Sequence, residues 1–138
     1  MSMETPRGMR SWRAFDVLID TQSLVWWAAA PERLSRRAAA ALLDPDSDLM
    51  VSTVTAFEFS DLHARGRFGG MPKLAVLLDR FAARIVALPA DAWRLAETLP
   101  QIHKDPVDRM LVAHALIAEI PLLSSDEHIA RYPLEVIW

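Results

Sequence analysis

Phe15-Asp16-Val17-Leu18-Ile19-Asp20 is a short apolar run closed by an acid, and similar runs return along the chain. Leu49-Met50-Val51, Ile85-Val86-Ala87-Leu88 and Leu122-Leu123 have the length of buried strands, and Leu134-Glu135-Val136-Ile137 leads into Trp138. Runs this short and rich in branched side chains read as strands. Helical patterns alternate with them. Ser35 can cap a helix through Leu43, closed by the turn Asp44-Pro45-Asp46-Ser47-Asp48. Thr53 or Thr55 can start the next, with Gly66 as its stop. Pro72 opens another that carries Leu74, Leu77, Leu78 and Phe81 on one face, and residues 91–99 form one that ends at Pro100. The last begins at Asp105-Pro106 and runs to about Glu119. It is apolar nearly all round, which predicts a buried helix packed across the sheet. Strands alternating with helices require crossover connections, so the fold class is α/β, a mostly parallel sheet with helices on both faces.

Composition agrees with one domain. The 138 residues are 52% hydrophobic and 24% charged, as in a globular chain rather than a disordered one. The absence of cysteine removes disulfides, thiolate zinc sites and cysteine nucleophiles together. Arg7, Arg10 and Arg13 outweigh Glu4 by two charges, so the remainder carries 12 basic and 17 acidic side chains, a net −5. Such a body does not attract nucleic acid by bulk charge and would need local help, for instance from metal ions. Residues 1–13 read as a poorly ordered extension and 14–138 as a single domain. No run is apolar enough for a membrane span or, before Ala14, for a signal peptide, which points to the cytoplasm.

In a parallel sheet all strands end at one edge, where ligand sites of open α/β folds lie. Acids recur at the predicted edge. Asp20 closes the first strand, Glu58 lies in the early turns of the helix after the second, Asp105 and Asp108 begin the buried helix, and Asp126 follows the Leu122-Leu123 strand. Each has a plainer explanation as a helix cap. Asp105-Pro106-Val107-Asp108 is a good helix start, Thr55 to Glu58 and Ser124 to Glu127 fit the capping-box pattern, and Asp20 can cap the helix after it. First-turn acids are favourable by about 0.3–1 kcal/mol each. Capping does not require an acid at nearly every strand end, however, and several carboxylates within a few ångströms repel one another strongly.

A divalent ion is the natural counter-charge, and Mg²⁺ or Mn²⁺ suits an all-oxygen set that also binds phosphate. Zinc suits it less. There is no cysteine, and His63, His103, His114 and His128 form no HExxH pair. His114 reads as part of the buried helix, His63 and His128 as surface residues, and His103 as a neighbour of the acids. Other acid-lined α/β sites fail on sequence. A phosphoacceptor receiver needs a lysine after its last strand, but Lys73 and Lys104 are the only lysines; an aspartyl-phosphate hydrolase needs an acid where Gln22 stands. P-loop, GxGxxG and GxSxG motifs are absent. Metal-assisted hydrolysis or transfer on a phosphate ester remains.

Residues 17–21 (VLIDT), 51–58 (VSTVTAFE), 105–113 (DPVDRMLVA) and 123–126 (LSSD) resemble, in order and spacing, the four acidic motifs of PIN-domain nucleases. The branch they most resemble is the VapC-type ribonuclease toxins of bacterial toxin–antitoxin pairs, and Trp26-Trp27 and residues 132–138 are similar to that branch too. The resemblance spans residues 15–138 and implies a three-layer α/β/α sandwich. It implies Asp20, Glu58, Asp108 and Asp126 as the site acids, with Asp20, Asp108 and Asp126 holding Mg²⁺ or Mn²⁺ and Glu58 orienting or deprotonating water. Asp105 would support them. Ser124 stands where the family often has threonine and could bond a carboxylate. Gln22 and Phe57 depart from the histidine and tryptophan of many relatives, which bears on substrate choice more than on hydrolysis.

The implied substrate is RNA, cut to leave 5′-phosphate and 3′-hydroxyl ends, and the implied role is a translation-blocking toxin held by a cognate antitoxin. Arg65, Arg67, Lys73, Lys104 and Arg109 lie in or beside loops near the acids and could guide RNA past them; scattered surface charge is the alternative. Two adjacent tryptophans are hard for one short helix to bury, so Trp26 and Trp27 are candidates for a partner interface as well as for core. The resemblance implies a homodimer and an antitoxin segment across that helix. A PIN-like nuclease of RNA maturation without an antitoxin, and a catalytically silent interaction module, are the alternative functions.

Overall fold

The structure, a computed structural model, describes residues 16–138. The expected extension over residues 1–13, and Phe15 at the head of the first expected strand, lie outside the described residues. Five strands form one all-parallel sheet: β1 (Asp16–Ile19), β2 (Asp48–Ser52), β3 (Arg84–Val86), β4 (Leu122–Leu123) and β5 (Val136–Ile137), in the order β3-β2-β1-β4-β5. The helices are α1 (Thr21–Ala29), α2 (Arg36–Leu43), α3 (Thr53–Ala64), α4 (Leu74–Phe81), α5 (Ala92–Thr98) and α6 (Pro106–Ala118), with single 3₁₀ turns at Pro31–Arg33 and Ile129–Arg131.

The strand period of two sorts the core into two layers. Val17, Ile19, Leu49, Val51 and Leu123 pack with Leu24, Leu42, Phe59 and Leu77 from α1 to α4. Leu18, Met50 and Leu122 pack with Ala92, Ala96, Leu111, Val112 and Ala115 from α5 and α6. The result is a three-layer α/β/α sandwich. No described helix is long and apolar enough to cross a membrane.

Local chemistry sets the helix starts. The Ser35 hydroxyl accepts from Ala38 N–H at 3.0 Å at the head of α2, as its position predicts. α3 begins earlier than a Thr55 cap would allow. Ser52 is its cap, accepting from Val54 N–H at 3.3 Å, while Thr55 is buried inside the helix with its hydroxyl unpartnered. The expected Thr55–Glu58 capping box is therefore not formed. Nor does a helix follow Ser124 to Glu127; that stretch is a turn leading to the 3₁₀ segment.

Two burial expectations also change. β3 is not a buried strand: it lies at the sheet edge, Ile85 is 39% exposed, and Arg84 pairs outward with Asp48 at 2.9 Å. Within α6, full burial is confined to residues 111–115, and Ile117 in the last turn faces solvent.

The chain leaves β1 toward β2 and β3 on one side and returns to β4 and β5 on the other, so the topology reverses beside β1. At such a point two loops part and leave a crevice beyond the carboxyl ends of the strands. Asp20 follows β1 directly, its N–H donating to Leu123 O at 3.2 Å across to β4.

Candidate metal centre

That crevice is a cavity of about 470 Å³ whose lining includes Asp20, Glu58, Asp108 and Asp126. Four stretches far apart in sequence supply them. Asp20 sits at the junction of β1 and α1, where its carboxylate accepts from Ser23 N–H at 2.8 Å. It caps the helix and faces the cavity at once, so the two explanations of this acid are not exclusive. Glu58 comes from the second turn of α3, and the Thr21 hydroxyl donates to its Oε1 at 2.5 Å. Asp108 lies in the first turn of α6. Asp126 lies in the turn after β4, where it accepts from His128 N–H at 2.8 Å and its own N–H donates to the Ser124 hydroxyl at 3.1 Å.

Asp105 behaves differently. Its carboxylate is spent on the Val107 and Asp108 N–H groups at 2.8 and 3.3 Å, capping α6 behind the cavity wall. Ser124 is buried, and its hydroxyl holds the Asp126 backbone by accepting from that residue's N–H.

His103 carries more of the geometry than its sequence position suggests. Its Nε2 lies 2.7 Å from Asp126 Oδ2 and 3.0 Å from Asp108 Oδ2. One nitrogen of His103 and one oxygen from each of those acids lie within 4.8 Å of one another. The only signal in the sequence is its place two residues before Asp105, in the loop that enters α6. The other histidines are placed elsewhere. His128 is exposed and His114 is buried in α6 against Ser52 Oγ at 2.9 Å, both as expected. His63 is not a free surface residue: it is half-buried and its Nε2–H donates to Met71 O at 2.7 Å, fastening the loop that carries Phe68 into the cavity wall.

The electrostatics of the acids differ. Burial raises the Asp20 carboxyl above the ordinary range, against opposing hydrogen bonds from Ser124 and Ser23, and Asp20 is only 6% exposed. Burial, followed by the charge of Asp105, pushes Asp108 up to about 7, with Glu58 and Asp20 adding to the rise and His103 opposing it. Burial acts on Asp126 as well, but the His103 hydrogen bond and the His128 and Ile129 N–H groups outweigh it and hold this carboxyl low. Among the described residues no lysine or arginine pairs with any of the four. A set of hard oxygen donors, half of it held above its normal pKa chiefly by burial, fits a divalent cation.

None of the five basic candidates lines the cavity. Arg109 is corrected outright. Its guanidinium donates to the carbonyls of Ala96, Leu99, Pro100 and His103 and to the Tyr132 hydroxyl, so its donors are committed inward and are not free for RNA. Arg65 pairs with Asp61 at 2.7 Å on the surface, Lys73 borders a separate hollow with Ser60 and His63, and Lys104 is exposed. Arg67 is exposed beside Phe68, a cavity residue. The tryptophans also part company. Trp26 lines the cavity, 5.7 Å from the Trp138 ring and with the Arg33 guanidinium 5.3 Å from its centre. Trp27 stacks on Phe81 at 3.7 Å, against the first core layer. Phe57, on α3, is 70% exposed.

Comparison with known proteins identifies the family and the fold. The PIN domain family model matches residues 17–134. The chain is 30% identical over 128 residues to Ribonuclease VapC22 of Mycobacterium tuberculosis, covering 88% of this chain and 98% of that relative. Among solved structures it is similar to VapBC2 from Rickettsia felis bound to a promoter DNA fragment (TM-score 0.64, 15% identity, 88% of this chain and 96% of that chain). A toxin–antitoxin complex from Klebsiella pneumoniae is similar at a TM-score of 0.61 and 18% identity, with the same coverage.

Proposed function

This chain belongs to the PIN domain family, and on that premise we propose that it is a Mg²⁺- or Mn²⁺-dependent ribonuclease, a translation-blocking toxin silenced by a cognate antitoxin. The observation that carries this reading is the meeting of Asp20, Glu58, Asp108 and Asp126 in one cavity at the carboxyl edge of the sheet. Its relatives support it: one is named a ribonuclease, and two solved neighbours are a VapBC assembly and a toxin–antitoxin complex. The protein works in the cytoplasm as a homodimer, and its antitoxin covers the helix α1 that carries Trp26.

Asp20, Asp108 and Asp126 would hold the cation, with Asp105 and Ser124 fixing the chain around them. When bound, the metal supplies positive charge for the phosphate oxygens and lowers the pKa of water. Glu58 is the base. Thr21 donates to Oε1, which fixes the carboxylate and leaves Oε2 to take a proton from the attacking water. Water oxygen then bonds to phosphorus as the bond to the 3′ oxygen breaks, and that oxygen leaves as a hydroxyl after gaining a proton from solvent. Val25, Trp26, Leu62 and Phe68 form the apolar part of the wall and limit access of bulk water.

Mapping the ends of cleaved RNA tests the chemistry. The expected products carry 5′-phosphate and 3′-hydroxyl, formed only with a divalent ion. Ends bearing 2′,3′-cyclic phosphate, formed equally in excess chelator, would reject it, because they require attack by the RNA's own 2′-hydroxyl.

A further inference from the structure

His103 lies inside the acid cluster on a ring that is held from both ends. Nε2 faces Asp108 on α6 and Asp126 after β4, at 3.0 and 2.7 Å. On the opposite side, Asp105 N–H donates to Nδ1 at 3.1 Å. An imidazole nitrogen that accepts a hydrogen bond bears no proton, so the neutral ring carries its one proton on Nε2. With that tautomer Nε2 has no lone pair to offer a metal. Coordination there would require a proton on Nδ1, set donor against donor with Asp105 N–H.

The ring is not free to escape this arrangement. The backbone N–H of His103 donates to the Tyr132 hydroxyl at 2.9 Å, which in turn donates to Pro100 O at 2.9 Å. Arg109 grips the same loop through Pro100 O at 3.0 Å and His103 O at 3.4 Å. The side chain is 15% exposed, and the His128 ring packs edge-on 5.4 Å away.

We propose that His103 is a positioning residue of the metal site and not one of its ligands: its Nε2–H ties Asp108 to Asp126 and sets the spacing of the two carboxylates before a cation arrives. The inference rests on the metal reading given above. The two carboxyl groups stand on separate elements, α6 and the turn after β4, and one donor shared between their Oδ2 atoms fixes the distance between them. A carboxylate has enough lone pairs to accept from Nε2–H and bind a cation together, so the donor stays useful after loading. The Arg109–Tyr132 clasp is then the means by which the fold aims the ring.

Nitrogen-15 NMR of the metal-free protein reads the tautomer directly, and the proton is expected on Nε2; a proton on Nδ1 would overturn the proposal. Calorimetry with Mn²⁺ then compares wild type with His103→Ala and His103→Gln, whose amide N–H reaches the position of Nε2–H. The Ala variant is expected to bind about 10-fold or more weakly, as loss of an outer hydrogen-bond partner does elsewhere, and the Gln variant to recover most of that loss. Pulsed EPR of the Mn²⁺-loaded wild type should show no directly bound histidine nitrogen. A bound nitrogen signal, Gln as weak as Ala, or Mn²⁺ affinity indifferent to His103 would each overturn this inference alone. If Ala fails to fold, the Gln variant, the tautomer and the EPR signal still decide it. Failure of wild type to bind Mn²⁺ at all would overturn the metal reading, and this inference with it.

Discussion

At the scale of single residues, the site separates acids of the same type by their surroundings. Asp126 has a histidine and two N–H donors and stays charged easily; Asp108 has burial and three neighbouring acids and is pushed up to about 7. In the metal-free protein Asp108 therefore holds its proton over a range where an unfolded chain has lost it. Its contribution to stability is present below the unfolded value of 3.8 and is lost as pH rises through about 7. A cation must displace that same proton. Calorimetry should show Mn²⁺ affinity rising as pH passes upward through about 7, and Asp108→Asn should remove that part of the dependence along with most of the binding. A flat pH response would mean that Asp108 is not a ligand. Glu58 gives a second prediction at this scale. Thr21→Val removes the hydroxyl that holds Oε1, and RNA cleavage should fall by roughly 10-fold or more with little change in melting temperature, because general-base efficiency depends on placement.

At the scale of elements, α6 shows how one helix combines structure and chemistry. Its first turn presents Asp108 to the cavity, its middle is buried, and Arg109 clasps the end of α5 and the loop carrying His103. Arg109→Gln should lower stability by roughly 1–3 kcal/mol, since several part-buried carbonyls lose a charged donor, and Arg109→Lys should not rescue it because the planar fork is gone. Unchanged melting with weakened RNA binding would restore Arg109 as a guide. Much of α6 was legible beforehand. Asp105-Pro106 marks its start, and its nearly uninterrupted apolar run marks its burial against the sheet. The strand ends likewise announced where Asp20 and Asp126 lie, because a parallel sheet forces every strand to finish at one edge. What the sequence concealed depends on partners chosen in three dimensions. Nothing in the neighbours of Arg109 says that five acceptors will gather around it, nor does the spacing from His103 to Asp126 imply a shared hydrogen bond. β3 reads as buried because Ile85, Val86 and Leu88 are apolar, yet strand order, which periodicity does not encode, puts it at the edge.

At the scale of the whole molecule, the cavity joins an acidic floor to an apolar wall that contains Trp26, while Trp27 belongs to the packing between α1 and α4. An antitoxin that lays apolar side chains on α1 and offers an arginine to the acids would meet both features, and its guanidinium and the metal would compete for one pocket. Trp26→Ala should then weaken the antitoxin complex by about 2 kcal/mol or more in calorimetry. Trp27→Ala should instead cost stability, below the ~3–5 kcal/mol of a fully buried tryptophan. Equal effects of both substitutions on partner affinity alone would reject this division. The central claim is that the four converging carboxylates form a metal-dependent phosphodiesterase site, and Asp20→Asn tests it most directly. Asparagine also caps α1, so the variant should fold and lose at most about 1 kcal/mol of stability. With Mn²⁺ or Mg²⁺ present, the account predicts RNA cleavage by the wild-type protein, abolished by chelator, and none by folded Asp20→Asn; full cleavage by that folded variant would contradict it.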